Sequence, residues 1–171
     1  DYPHFNIPGT YQIALYAMDN NLNTSVPKLT TVSVDNPLRR KAIIISGGGQ
    51  FDSLWRAIEK NTILAYETLI NQGYSDQTIQ FFSASATVGV DALATRDNIE
   101  DAVLRWAADQ TQDLVIYLVG SNHDGVFPLS QTETVSAQDL DGWLDTLQKS
   151  IPGKIVVVYD GNYSGHFIPL L

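Results

Sequence analysis

Two short stretches hold most of the side chains able to move a proton or attack a carbon. "SNHDG" (121–125) follows the apolar run "LVIYLVG", and "DGNYSGHF" (160–167) follows "IVVVY". Between them Ser164, His123 and either Asp124 or Asp160 supply a hydroxyl, an imidazole and a carboxylate, the parts of a serine hydrolase in which the base takes the hydroxyl proton. The spacing is unfavourable. Ser164 lies in "GNYSG" rather than Gly-x-Ser-x-Gly, two residues past the sharpest point of a strand-to-helix turn. His166 reads as an exposed loop side chain. No cysteine occurs, which removes thiolate nucleophiles, thiolate zinc sites and disulfides by count.

Other chemistry is weaker. "GGGQFDSL" (47–54) places Gly47, Gly48 and Gly49 after a strand, as a phosphate-binding turn would, but lacks the Gly-Lys-Ser/Thr ending and does not satisfy G-x-G-x-x-G. It reads as a βα turn, with a sugar or nucleotide site as the weaker alternative. Asp19, Asn21 and Asn23 fit the start of a calcium loop, but Thr24 stands where glycine is required and Thr30 where the closing glutamate belongs. No metal and no cofactor is expected. Nineteen acidic against ten basic residues give a net charge of −9, which repels nucleic acid. No apolar run approaches the roughly 20 residues of a membrane helix, so no membrane span is expected.

The elements that must position these loops read as follows. Residues 10–34 alternate apolar and polar on both sides of an Asn-rich turn, the pattern of an antiparallel hairpin. "DNPLRRK" (35–41) reads as a polar linker. Continuously apolar strands are expected at 42–46, 78–82, 114–120 and 155–159, as in a parallel sheet covered on both faces. Helices alternate with them. One has Leu54, Ile58, Thr62, Ala65 and Leu69 on a face, is capped by Asp52 and is closed by Gly73. A second follows an Asp97/Glu100 capping pair and carries Ile99, Val103 and Trp106. A third opens at a Ser136/Asp139 capping box and turns Leu140, Trp143, Leu144 and Leu147 inward. The βαβαβαβ order predicts a parallel α/β sheet with right-handed crossovers, and ligands then gather at the carboxyl ends of the strands. The loops 47–52, 120–125 and 160–166 stand there.

"YLVGSNHDGVF" followed, after one helix, by "VVVYDGNYSGHF" resembles the caspase-like clan of cysteine peptidases, in particular bacterial relatives of legumain, the C13 peptidases. The likeness runs over about residues 41–168 and includes "AIIISGGG" and "AYETLINQGYSDQTIQFFS". The resemblance implies a three-layer αβα sandwich with a mostly parallel sheet. It matches Asp124 and Gly125 to the end of the family's histidine motif, and Asp160, Ser164 and Gly165 to its cysteine motif. The reactive positions differ: Ser121 stands where the general base would be, Asn162 where the cysteine nucleophile would be, Gly161 replaces an alanine and His123 a glycine. A carboxamide nitrogen has its lone pair delocalised and cannot attack, and a hydroxyl cannot shuttle protons near neutral pH as imidazole does. In serine proteases, losing the nucleophile and base costs on the order of a millionfold. A relocated site would need His123 to act from two residues beyond the usual base.

The expected protein is therefore a catalytically inactive peptidase homologue, a binding or structural module of a larger exported bacterial protein, periplasmic or extracellular, with peptide or protein as its partner. The alternative is a hydrolase in which Ser164 works with His123. Asn162 is expected to adopt a left-handed turn conformation and to bond its own backbone, the alternative being that it lends donors and an acceptor to a peptide-binding cleft that no longer cuts. Residues 1–36 look like the closing strands of a bacterial immunoglobulin-like sandwich, and 37–171 like the peptidase-like domain, shortened at "FIPLL". Relatives carry about two further strands there, so the fourth strand is expected to leave an open edge beside an apolar tail, a place for self-association.

Overall fold

The computed structural model describes residues 8–86, 89–121 and 125–171. Two compact units divide after Pro37. The first is an antiparallel hairpin of β1 (Gly9–Leu15) and β2 (Lys28–Val34), with Tyr11 opposite Val32 and Ile13 opposite Thr30. Asp19 holds its connection. Its Oδ1 accepts the N–H groups of Asn21 (2.8 Å) and Asn23 (2.9 Å), and its Oδ2 accepts the Asn23 carboxamide (3.0 Å). Both oxygens serve the turn itself, and the Asn23 side chain leads in holding the carboxyl below its ordinary pKa.

The second unit is built on β3 (Arg39–Ser46), α1 (Trp55–Asn71), β4 (Ile79–Ser83), β5 (Ala92–Leu93), α2 (Arg96–Asp101), β6 (Thr111–Val119), β7 (Val126–Pro128), β8 (Thr134–Ser136), α3 (Ala137–Leu147) and β9 (Ile155–Asp160). Five strands form one sheet in the order β5-β4-β3-β6-β9, every neighbouring pair parallel. The order reverses between β3 and β6, so the crevice for a ligand lies at their carboxyl ends, beside β9. β7 and β8 make a small antiparallel ribbon.

The sheet is buried on both faces, which makes a three-layer α/β sandwich. On one side Ala42, Ile44, Ile79 and Phe81 pack against Leu69 of α1. On the other Ile43, Ile45, Leu114, Ile116 and Leu118 join Ile99 of α2 and Leu140, Trp143, Leu144 and Leu147 of α3. Burying one such side chain contributes about 1.5–3 kcal/mol. These strands therefore outweigh any local preference of their short apolar runs for helix.

The segment 39–41, read as linker, is strand. Its charges have work at helix ends. The Arg40 guanidinium donates to the Gln72 carbonyl at the end of α1 (3.1 Å) and lies over the Tyr74 ring. Lys41 is buried, and its ammonium donates to the carbonyls of Trp106 (2.7 Å) and Asp109 (2.6 Å). Those carbonyls are freed where α2 runs into a turn of π-helix, Ala102–Trp106, closed by Ala107 N–H on Ala102 O. Burial lowers the Lys41 pKa. Gly73 (φ +89°) ends α1 as expected: its N–H reaches Ile70 O and that of Tyr74 reaches Leu69 O, a Schellman pair.

Two caps fall elsewhere than expected. Thr95, extended and one residue before α2, accepts the Asn98 N–H (3.2 Å), so Asp97 lies inside the first turn rather than opening it. Asp52 caps the turn ahead of α1, accepting the Leu54 N–H (2.8 Å), and the helix begins only at Trp55. The Ser136/Asp139 capping box is present in both directions. Asp139 also takes a two-pronged pair from Arg96 (2.6 and 2.8 Å), which ties α3 to the start of α2.

The Arg96 guanidinium first, and the Ser136 hydroxyl second, hold the Asp139 carboxyl well below the usual carboxylate range. A carboxyl depressed in the folded state stabilises above its unfolded pKa, and that contribution fades as pH falls toward the folded value. Asp139→Asn should cost about 1–2 kcal/mol at neutral pH. It should also flatten the acid side of the profile: urea unfolding between about pH 5 and pH 3 should lose less stability than in the unaltered protein. Equal acid slopes would contradict this role.

Candidate active-site cleft

Three strands end in glycine side by side. Gly47 N–H continues the ladder to Val119 O (2.9 Å), and Gly120 N–H to Asp160 O (3.1 Å). A Cβ on Gly161 would collide with the Gly120 carbonyl oxygen, and one on Gly47 would collide with the Pro128 carbonyl and stand 2.7 Å from the Phe127 ring. Phe127, carried on β7, is 1% exposed and fills the space behind these ends. Its ring meets Tyr159 edge-on at 5.4 Å, and Tyr159 meets Phe167 at 5.2 Å. The side chains that follow the glycines are thus set on a tightly packed base.

Ser121 and Asn162 line the same cleft of about 140 Å³. Leu54, just before α1, and Ala57, Ile58 and Asn61 of α1 line it from the helix side, and Asp160 and Gly161 from the end of β9. The Ser121 hydroxyl donates to Asp52 Oδ2 at 3.5 Å, a long bond. Asn61 Nδ2 donates to Asp160 Oδ2 at 3.2 Å, bridging α1 and the end of β9. The Asn162 carboxamide is exposed and has no hydrogen-bond partner among the described residues. Beyond the Asn61–Asp160 bridge the cleft opens into a groove of about 390 Å³, lined by Leu64, Ala65, Thr68 and Leu69 of α1 and by Val115 and Tyr117 of β6.

Asn162 does not take the left-handed conformation expected of it. Tyr163 does (φ +60°), so the turn's strain falls one residue later, on an exposed aromatic stacked on His166 at 6.0 Å. Ser164 opens a 3-10 turn to His166, and no described imidazole or carboxylate is bonded to its hydroxyl. His123 and Asp124 lie outside the described residues. His166 is exposed. In the tail Phe167 is fully buried, whereas Ile168 and Leu170 remain 39% and 47% exposed.

Asp52 is the site residue that sequence reasoning assigned to a different task. The sequence reads it as a helix cap at the end of the ligand loop 47–52, and it also reaches Ser121 across the sheet's switch point. The available signal was its place in the loop after β3, next in space to the loop after β6. The same carboxylate argues against an anion site at the glycines: a Cβ on Gly48 would stand 2.8 Å from Asp52 Oδ2, so a phosphate there would face a negative charge. A second polar hollow, of about 240 Å³, lies between Gly48–Phe51 and Ser130–Thr132.

The sequence matches no known protein-family profile, and a search of curated proteins finds none that matches it. The chemistry must be read from the groups themselves. The Ser121 hydroxyl and the Asn61 and Asn162 carboxamides can donate and accept hydrogen bonds, and the one carboxylate of the lining, Asp160, accepts them; none of the described groups lining the cleft is a thiol or an imidazole.

Because the chain has no cysteine, Asn162→Cys introduces a single reporter thiol. If 121 and 162 share the cleft, adding Ser121→His should pair imidazolium with thiolate and lower the thiol pKa. Iodoacetamide alkylation near pH 6 should then be about tenfold faster in the double variant than in Asn162→Cys alone. Equal rates would separate the two positions.

Proposed function

We propose that the chain is a peptidase-like domain that binds without cutting: a caspase- or legumain-like module of a larger exported bacterial protein, whose cleft recognises an extended peptide. The observation that carries this reading is Ser121 and Asn162 on one cleft, at the carboxyl ends of neighbouring parallel strands. In the family it resembles, base and nucleophile stand at those positions. A carboxamide is no nucleophile, and the described lining offers the hydroxyl no imidazole to take its proton, but together they can satisfy the N–H and C=O groups of a passing peptide.

Size and polarity support a peptide over a compact small molecule. The cleft of about 140 Å³ is below the usual range for such ligands, roughly 300–1,000 Å³, whereas cleft and groove together offer a polar end and an apolar run. The Asp52 and Asp160 carboxylates favour a basic side chain or a free amine at the polar end. The hairpin of residues 9–34 we assign to a sandwich domain of the same parent. In support, its residues are half-buried or exposed, with Leu15, Met18, Leu22 and Val26 between 63% and 89% exposed, and a lone two-stranded hairpin is marginal in water.

An arrayed library of unstructured peptides, probed with the purified chain, should give saturable binding enriched in sequences with lysine or arginine beside apolar residues. Asn162→Ala and Asp52→Asn should each weaken the best binder about five- to thirtyfold, the loss of one or two hydrogen bonds. Binding indifferent to both substitutions, or none at all, would sink the proposal.

A further inference from the structure

The outer edge of β9 is open: among the described residues its only strand partner is β6. The carbonyls of Lys154 and Asp160 accept from Leu114 (2.9 Å) and Gly120 (3.1 Å) of the β6 side. Residues alternate in direction along a strand, so Val156 and Val158 also face β6, and Ile155, Val157 and Tyr159 turn their N–H and C=O groups to the open side. No described strand takes them up. Such an edge recruits another strand unless a charge, a proline or a bulge opposes it. Here charge favours one particular partner.

Val156, Val158 and Asp160 stand on the α1 face of β9, and Lys154, one residue before the strand, continues the same alternation. Val156 is 48% exposed, and Lys154 and Asp160 are exposed at the two ends. Read forward the face is positive, apolar, apolar, negative; read backward it is the complement. We propose that two copies of this chain associate through β9, antiparallel about a two-fold axis at Val157, and continue the sheet from one protomer into the other. This goes beyond the peptide-binding reading and does not depend on it.

In that register Lys154 faces Asp160 of the second copy, and Val156 faces Val158. On the opposite face Ile155 meets Tyr159, and Val157 meets its own equivalent. Outward-pointing residues pair only with outward-pointing ones, so the three pairs that include residues 155, 157 and 159 exchange two hydrogen bonds each. The Asp160 carboxylate gives Oδ2 to Asn61, which leaves Oδ1 for the incoming ammonium. A parallel, in-register pairing would instead set lysine against lysine and aspartate against aspartate, which is unfavourable. The contact is the same patch on both protomers, so it closes at two and does not propagate.

Sedimentation of the whole chain over a range of concentrations tests this, with circular dichroism confirming that each variant is folded. The unaltered protein should approach twice the mass of one chain. Val157→Pro removes an outward N–H at a position where an edge strand tolerates proline, and should leave a monomer. Lys154→Asp creates two like-charge pairs and should raise the dimer dissociation constant about tenfold or more. Lys154→Gln should raise it less, and the exchange Lys154→Asp with Asp160→Lys should bring it back to within about threefold. If the exchanged variant fails to fold, the order of the Asp and Gln variants decides. A monomer at every concentration, a dimer that survives Val157→Pro, or a dimer indifferent to the charge at 154 would overturn the proposal. None of these results depends on whether the cleft binds a peptide.

Discussion

The ends of β6 and β9 meet backbone to backbone: the Gly120 carbonyl occupies the place where any side chain at 161 would begin. That contact lets β6 and β9 run out together, one hydrogen bond past their last paired residues, before either chain turns away. Ser121 and Asn162 follow immediately and enter the same cleft. An alanine at 161 would force the two strand ends apart. In this chain the strand ends are packed more closely than a residue with a Cβ would permit.

The consequence is chemical as much as geometric. A site at the carboxyl ends of parallel strands gains its power from groups that change charge near neutral pH, and among the described residues of this cleft the ionisable groups are carboxylates. Asp160, in the lining, accepts from an asparagine, and Asp52, behind Ser121, accepts a turn N–H and lies 3.5 Å from the serine hydroxyl. Carboxylates used in this way orient neighbours and attract cations. On the reading proposed above, the groups of the cleft serve recognition rather than proton transfer.

Much of this was legible in the residues. The buried strands announced themselves as unbroken apolar runs, and Gly73 and the Ser136/Asp139 box set helix limits through mechanisms that depend only on local sequence. The failures were tertiary. Arg39–Lys41 read as linker because charge is rare inside a sheet, and only the fold supplies the helix carbonyls that Arg40 and Lys41 reach. Asp97 read as the cap of the second helix, but the extended backbone at Thr95 makes Thr95 the residue that accepts the Asn98 N–H. Tyr163 rather than Asn162 takes the left-handed angle, against intrinsic preference, in a turn whose exit is fixed by Phe167 in the core. The pairing of Asp52 with Ser121 joins residues far apart in sequence and left no local trace.

The α1 face of the sheet is well filled over β3 and β4 and thinly filled over β6 and β9, where the groove lies and Val156 meets solvent. Cleft, groove and open edge therefore adjoin on one side of the molecule, which is where partners of either kind would gather. The account stands or falls on the absence of turnover. Incubating the purified chain with a diverse peptide mixture and following new amino termini by mass spectrometry should give no cleavage above a heat-denatured control. Saturable cleavage by the native chain, lost on Ser164→Ala, would contradict the account and establish a working nucleophile.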